Sequence, residues 1–380
     1  MLKSRMAISA LAVMVAAFPV LAEEERSTAA LGERPIWVRN PAIAPDGQTL
    51  SFTYRGRIFV VDAAGGLAVP LTPSGNYSHS AVWSADSERL SFASDLNGDD
   101  DVYVSDFSGT LQRLTWSAAA EVPTSFSPDG KDILYTAPRL GDAELSVQAA
   151  LSFGTQLYSV DTETGREALV LPNIALEAAW NGDRTQLAYT YNPTLDPDER
   201  QHRVAANARS IWIYKPATGK HERLFPEDGI DRHNPVWGPD GQSLYYLSEA
   251  TGWLNAWRVD LATGEETQLT QFDGDPVRHL SVANDGTIAF ANRGRIYVKA
   301  TDADEPRAIE LLTLEQRAIR SDNFHAEYKP GLASSPSGEN FAIVVNPNNP
   351  DGRVIARRDL TELASRMKAK GGLLVVDEAF

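Results

Sequence analysis

An aspartate recurs six times at the apex of a short polar turn: Asp46, Asp86, Asp129, Asp183, Asp240 and Asp285, spaced by 40, 43, 54, 57 and 45 residues. Three positions before each stands an apolar or aromatic residue: Ile43, Trp83, Phe126, Trp180, Trp237 and Val282. A few positions after comes an aromatic: Phe52, Phe92, Tyr135, Tyr189, Tyr246 and Phe290. An alternating strand follows and often ends in Asp, as in Ile58–Asp62, Val102–Asp106, Leu157–Asp161 and Ala256–Asp260, with Ile211–Lys215 and Ile296–Ala300 in the same place. A last strand closes the unit, as at residues 69–72, 112–115 and 267–270. A period of two means that each strand buries one face. Four short strands in units of roughly 40–50 residues are the pattern of propeller blades. The expected fold is all-β: a six-bladed β-propeller of four-stranded blades over residues 34–312.

The residues before the turns, Trp83 and Trp237 among them, read as packing between blades. Two blades carry long insertions between their second and third strands, at residues 138–155 and 192–209. Long loops on a rigid scaffold are where binding tends to sit. Residues 35–39 are a candidate strand to complete the sixth blade. A degenerate copy begins at Ser335-Pro336-Ser337-Gly338-Glu339-Asn340-Phe341, so residues 313–341 read as a linker and the start of a further blade.

The first 22 residues have the form of a secretory leader: Lys3 and Arg5, an uncharged apolar run from Ala7 to Ala17, and Val20-Leu21-Ala22 at the cleavage positions. Residues 23–33 read as a linker, and the expected location is periplasmic or secreted, without membrane insertion after cleavage. The formal net charge is −16, so nucleic acid is not an expected partner. There is no cysteine, which removes disulfides, thiolate nucleophiles and thiolate metal sites.

The six histidines are scattered, without metal-ligand spacing. His79, His233 and His279 each fall just before a blade's first strand, a placement that suits hydrogen bonding at the blade edge. Asp95, Asn97, Asp99 and Asp101 set oxygen donors at alternate positions, as calcium requires, but the glutamate expected twelve residues on is missing. They are kept as a calcium candidate. There is no Gly-x-Ser-x-Gly elbow, and no catalytic residue is expected.

Four stretches carry a family resemblance: Arg34-Pro35-Ile36-Trp37-Val38-Arg39-Asn40-Pro41; Trp83-Ser84-Ala85-Asp86 with Phe92-Ala93-Ser94-Asp95; Ser210-Ile211-Trp212-Ile213-Tyr214; and Asp231-Arg232-His233-Asn234-Pro235-Val236-Trp237. They resemble the N-terminal propeller of bacterial tricorn-like serine peptidases, and the repeat is also similar to that of TolB. The resemblance implies a propeller that binds or admits peptides while a separate protease domain cuts them. A TolB-like module docking an envelope protein is the alternative.

From residue 341 the pattern changes. Phe341-Ala342-Ile343-Val344-Val345 is an apolar strand, and Asn346–Gly352 is a turn rich in Asn and Pro. Residues 357–369 have helical spacing, Gly371-Gly372 ends that helix, and Leu373–Val376 is a continuous apolar run, as in a parallel strand buried on both faces. This β-loop-α-β fragment, residues 342–380, resembles fold-type I pyridoxal-phosphate enzymes of the histidinol-phosphate aminotransferase and threonine-phosphate decarboxylase branch. The resemblance implies that Asn349 bonds the cofactor's phenolic oxygen and that Asp377 pairs with the pyridinium nitrogen. The Schiff-base lysine and the phosphate-binding residues of that family have no match here, and Lys368 and Lys370 stand on the helix. The expectation is a fusion of a non-catalytic propeller, without its protease domain, and an inactive aminotransferase fragment that binds no cofactor. A fragment of a working pyridoxal-phosphate enzyme is the further alternative.

Overall fold

In all six repeats the turn aspartate bonds its own chain two residues on. Its Oδ1 accepts from the N–H of Gln48 (2.9 Å), Glu88 (3.0 Å), Lys131 (3.3 Å), Thr185 (3.0 Å), Gln242 (2.9 Å) and Thr287 (2.8 Å) in turn. A side chain that mimics a backbone turn in this way favours one hairpin geometry, which is why the aspartate repeats. The same device closes the third strand at Asp62, Asp106, Asp161 and Asp260.

The computed structural model describes residues 34–139, 155–192, 208–301, 303–314, 341–345, 356–369 and 373–377. Blade 1 holds β1 (Arg39–Ile43), β2 (Thr49–Tyr54), β3 (Arg57–Asp62) and β4 (Gly66–Pro70). Blade 2 holds β5 (Ser78–Trp83), β6 (Leu90–Ser94), β7 (Asp101–Ser105) and β8 (Leu111–Arg113). Blade 3 holds β9 (Val122–Phe126), β10 (Asp132–Ala137), β11 (Gln156–Asp161) and β12 (Glu167–Leu171). Blade 4 holds β13 (Leu176–Trp180), β14 (Leu187–Tyr191), β15 (Ser210–Lys215) and β16 (Lys220–Arg223). Blade 5 holds β17 (Arg232–Trp237), β18 (Ser243–Ser248), β19 (Asn255–Asp260) and β20 (Glu266–Gln268). Blade 6 holds β21 (Arg278–Val282), β22 (Ile288–Asn292), β23 (Arg295–Lys299) and β24 (Arg307–Ala308). Each blade is an antiparallel meander, and each first strand packs against the first strand of the next blade, with β21 meeting β1. This is the expected six-bladed propeller of four-stranded blades.

The recurring aromatics form the blade cores. In every blade the second-strand aromatic faces a third-strand aromatic across the ladder: Phe52↔Phe59, Phe92↔Tyr103, Tyr135↔Tyr158, Tyr189↔Trp212, Tyr246↔Trp257 and Phe290↔Tyr297. Such pairs are the unit of sheet stabilisation. Where the second-strand ring is a tyrosine, its hydroxyl meets a polar group on the outermost strand: Glu167 for Tyr135, His221 for Tyr189 and Glu266 for Tyr246. A buried hydroxyl needs that partner. The tryptophans before the turns do join blades, as their Nε1–H groups donate from Trp83 to Ala42 O (3.0 Å) and from Trp237 to Ala179 O (2.9 Å). Trp237→Phe should therefore cost about 1 kcal/mol, the worth of one hydrogen bond. Urea unfolding of the two proteins checks it.

The ring closes differently from the sequence expectation. Residues 35–39 do not complete blade 6: the chain is coil from 34 to 38, Trp37 sits at φ +63°, and Arg39 already belongs to β1. A left-handed residue breaks the extended run that a fifth strand there would need. Val38 N–H to Gly294 O (3.2 Å) is one backbone bond across that junction. Closure comes instead from the far end, where β25 (Leu311–Thr313) pairs in parallel with β4 on the outside of blade 1. The approach is guided by Gly66 N–H to Glu310 O (2.8 Å). Gly65, at φ +99°, leaves space that a Cβ would close, since Glu310 O would stand 2.6 Å from it. Ile309 and Leu311 then enter one core with Phe59, Val61 and Ala68 of blade 1 and Ala289 and Ile296 of blade 6.

In the tail, β26 (Phe341–Val345), α1 (Arg357–Ala369) and β27 (Leu373–Asp377) form the expected β-loop-α-β unit. The two strands are parallel, in register from Phe341↔Leu373 to Val345↔Asp377. Among the described residues no helix is long and apolar enough to cross a membrane.

Candidate functional site at the channel mouth

Strand alternation sends the start of every first strand, every turn between second and third strands, and every connection between blades to the same end of the propeller. At that end each first strand carries a β-bulge in the same register. In five blades the bulged residue is a non-glycine at positive φ: Asn40 (48°), Ser80 (53°), Glu177 (51°), Asn234 (55°) and His279 (55°). Blade 3 has Pro123 there, whose ring forbids positive φ, and its ladder skips Thr124 instead. Left-handed backbone costs roughly 1–2 kcal/mol per non-glycine residue, so five at one rim mark a built feature.

The bulges aim polar side chains between neighbouring blades. Asn234 bridges the edge of β21 twice, donating Nδ2–H to Leu280 O (3.1 Å) and accepting Leu280 N–H at Oδ1 (2.9 Å). Glu177 Oε2 accepts from Thr190 Oγ1–H (2.7 Å) and from Asn234 N–H (2.7 Å). Thr124 and Ser125 donate to Ala178 O at 2.9 Å each. Asn40 Nδ2 lies 3.4 Å from His279 Nδ1, across the junction of blades 1 and 6. All these bulge residues keep part of their surface in solvent.

Both long insertions leave this mouth from pinned feet. Arg139, just after β10, pairs with Glu121 and Glu167 and lies over the Tyr158 ring (4.6 Å). Arg209, just before β15, donates from Nη2 to Asp231 Oδ2 (2.6 Å) and from its backbone N–H to Asp231 Oδ1 (2.8 Å). Asp231 N–H in turn donates to Glu249 Oε1 (3.2 Å). Burial alone would raise the Asp231 carboxyl, but the Arg209 hydrogen bonds and the charges of His233 and Arg209 outweigh it and hold it at about 2. The interiors of the insertions lie outside the described residues. Opposite them, blades 1 and 6 have two-residue turns, Arg55-Gly56 and Arg293-Gly294, with positive φ throughout. Ile36 (64%), Trp37 (56%) and Tyr77 (44%) stand exposed on that side.

His79, His233 and His279 fall inside the first strands, each at the second position, because those strands begin at Ser78, Arg232 and Arg278. His79 Nε2 meets Asp100 Oδ2 at 3.2 Å, and His233 Nδ1 lies 3.7 Å from Asp231 Oδ2. His202 and His325 lie outside the described residues. The calcium candidates turn to separate partners: Asp95 Oδ1 accepts Tyr77 N–H (2.6 Å), Asn97 donates to the Tyr103 hydroxyl (2.5 Å), and Asp101 pairs with Arg113 (2.8 Å). Asp99 is exposed. Among the described residues no three His, Asp or Glu side chains are gathered as a metal ion requires. In the tail, Asp377 ends β27 opposite Val345, Lys368 is exposed on α1, and Asn349 and Lys370 lie outside the described residues. The bulged rim and the pinned feet left no mark in the repeat pattern, because the residue types at the bulge differ from blade to blade.

Residues 35–305 match the family described as the tricorn protease N-terminal beta propeller domain. The chain belongs to that family. Residues 306–380 match a second family, aminotransferase class I and II. The propeller family's solved tricorn protease superposes with a TM-score of 0.61 at 18% identity, over 74% of this chain and 27% of that one. TolB from Acinetobacter baumannii superposes with a TM-score of 0.54 at 18% identity, over 70% and 67%. Among curated relatives, dipeptidyl-peptidase 5 of Porphyromonas gingivalis is 24% identical over 182 residues, 46% of this chain and 24% of that protein. Threonine-phosphate decarboxylase of a Sinorhizobium species is 66% identical over 64 residues, 17% and 19% of the two. The chain thus spans about a quarter or less of these two curated relatives, the propeller matching the first and the tail the second.

Proposed function

We propose that the propeller binds or admits peptides at the mouth of its channel and leaves their cleavage to a separate protease domain. The observation that carries this reading is the convergence, at one end, of six bulged first strands and two insertions on arginine–carboxylate feet. Exposed backbone edges, amide and carboxylate side chains, and the exposed Ile36, Trp37 and Tyr77 suit an extended peptide, which brings both backbone groups and apolar side chains. Two relatives, the tricorn protease and dipeptidyl-peptidase 5, are peptidases by name. Calorimetric titration with unstructured peptides of about ten residues tests it, using the chain and a variant lacking residues 193–207. Saturable binding lost in the variant supports the reading; equal or absent heats in both sink it.

TolB likeness favours a second reading, in which the same mouth docks a folded envelope protein. Stable capture of such a protein with no competition by peptide would support it over the first. The leader-like residues 1–22 support export to the periplasm or beyond. Cell fractionation, with N-terminal sequencing of a mature form starting near Glu23, checks that.

For the tail we propose that this chain binds no pyridoxal phosphate. A fold-type I site draws on a parallel sheet covered on both faces, and the described tail offers one strand pair and one helix. When bound, the cofactor supplies an electron sink, and Asp377 would hold its ring nitrogen protonated. Incubation with pyridoxal phosphate followed by gel filtration should leave no absorbance band near the visible edge in the protein peak. A retained band would overturn the proposal.

A further inference from the structure

Blade 2 differs from the other blades at its bulge. Ser80 Oγ lies 2.9 Å from His79 Nδ1, and His79 Nε2 lies 3.2 Å from Asp100 Oδ2. Ser80 is held at φ +53° with part of its surface in solvent, while the His79 and Asp100 side chains are only 16% and 25% exposed. We propose that Ser80, His79 and Asp100 form a nucleophile–base–carboxylate relay at the channel mouth, able to hydrolyse carboxylic esters. The proposal stands apart from the peptide-binding reading.

The chemistry follows from the contacts. Asp100 accepts the Nε2–H of His79, which fixes the tautomer with a free lone pair on Nδ1. That lone pair faces the Ser80 hydroxyl. Ser80 Oγ adds to the ester carbonyl carbon as its proton passes to Nδ1. The carbon–oxygen bond to the alcohol then breaks, and the alcohol leaves with the proton from Nδ1. A water molecule, deprotonated by Nδ1 in the same way, adds to the acyl-serine, releases the carboxylic acid and restores the hydroxyl. The imidazolium formed in each half is stabilised by Asp100, while the neighbouring Asp101 is taken up by Arg113. β5 is the edge strand of its sheet, so its channel side has no strand partner and offers backbone N–H groups to a developing oxyanion. The corresponding pairs elsewhere are Arg39-Asn40, Leu176-Glu177, His233-Asn234 and Arg278-His279, and blade 3 has Val122-Pro123. None of these joins a hydroxyl to an imidazole. The bulge strain is shared by five blades, but the relay is confined to blade 2 among the described residues.

The test is labelling of the full chain with a fluorophosphonate, the modified residue being located by peptide mass spectrometry. Ser80 should be labelled in the folded chain and not in urea. His79→Gln should slow labelling by about 100-fold or more, the usual loss with a general base. Ser80→Asn should abolish it while keeping the fold, since Asn40 and Asn234 occupy the same left-handed position in their blades. Asp100 acts as a positioning residue: Asp100→Asn should slow labelling and Asp100→Glu should restore part of the rate, a rescue that a merely structural change would not show. Labelling of Ser80 no faster folded than unfolded, or equally fast in His79→Gln, would overturn the proposal.

Discussion

Leu311→Asp opens the ring between blades 6 and 1. Leu311 is 6% exposed and shares its core with residues of both blades, and no strand of blade 1 is lent to blade 6. The β25 strand is therefore an outer clasp across a junction otherwise held by contacts such as Ser281 Oγ with Ile43 N–H (3.0 Å) and Asn284 N–H with Pro45 O (2.8 Å). An aspartate there leaves an unpaired charge in an apolar core, and even truncation to alanine costs about 2–5 kcal/mol. Hydrogen exchange should rise first in β1, β4 and β21, before it rises in blades 3 and 4. Gly65→Ala offers a check that leaves the core untouched, because its Cβ would meet Glu310 O at 2.6 Å. It should produce the same local pattern with a smaller loss. A uniform rise across all blades would show that β25 is no clasp.

Asp231→Asn should be the other severe change, at about 3–5 kcal/mol, because it breaks a buried ion pair from one side. Arg209 and Asp231 side chains are 9% and 2% exposed, so solvent cannot take over. The expected result is loss of protection at the foot of the second insertion, residues 208–215, together with lower global stability. The pH dependence has a defined sign. The Asp231 carboxyl is depressed from 3.8 to about 2 in the folded chain, so its contribution is complete above the ordinary value and is lost as pH falls through the folded one. The contribution is on the order of 2 kcal/mol. In the Asp231→Asn protein the stability curve should be flatter between pH 4 and pH 2 than in the parent. Parallel curves would mean that the pair does not set the acid limb. The exposed turn aspartates, such as Asp183, whose carboxyl the Thr185 bonds hold low, give the same sign in both proteins and cancel in the comparison.

What was legible in the sequence is what depends on near neighbours. The turn aspartates bond the chain two residues on, and each second-strand aromatic follows its turn by a few residues, so their spacing repeats and can be read. Outermost strands were read one to three residues off: β4 runs Gly66–Pro70 and β8 Leu111–Arg113, where alternation pointed to residues 69–72 and 112–115. Those strands are half solvated and their pattern is weak. Closure was misplaced because β25 pairs with a strand some 245 residues earlier, and no periodicity reports a contact that distant. The bulged rim was hidden for another reason: Asn, Ser, Glu, Asn and His all take the position, so backbone shape repeats where residue type does not. The feet Arg139–Glu121 and Arg209–Asp231 each join a strand end to a connecting segment, and neither pair has a fixed spacing.

The central claim is that the bulged mouth is the binding surface, and hydrogen exchange with and without a bound unstructured peptide tests it most directly. Protection gathered at the starts of the first strands, around Asn40, Ser80, Glu177, Asn234 and His279, and at the feet of the two insertions is the predicted result. Protection confined to the opposite end or the outer rim, or no change at peptide concentrations that saturate the calorimetric signal, would contradict it.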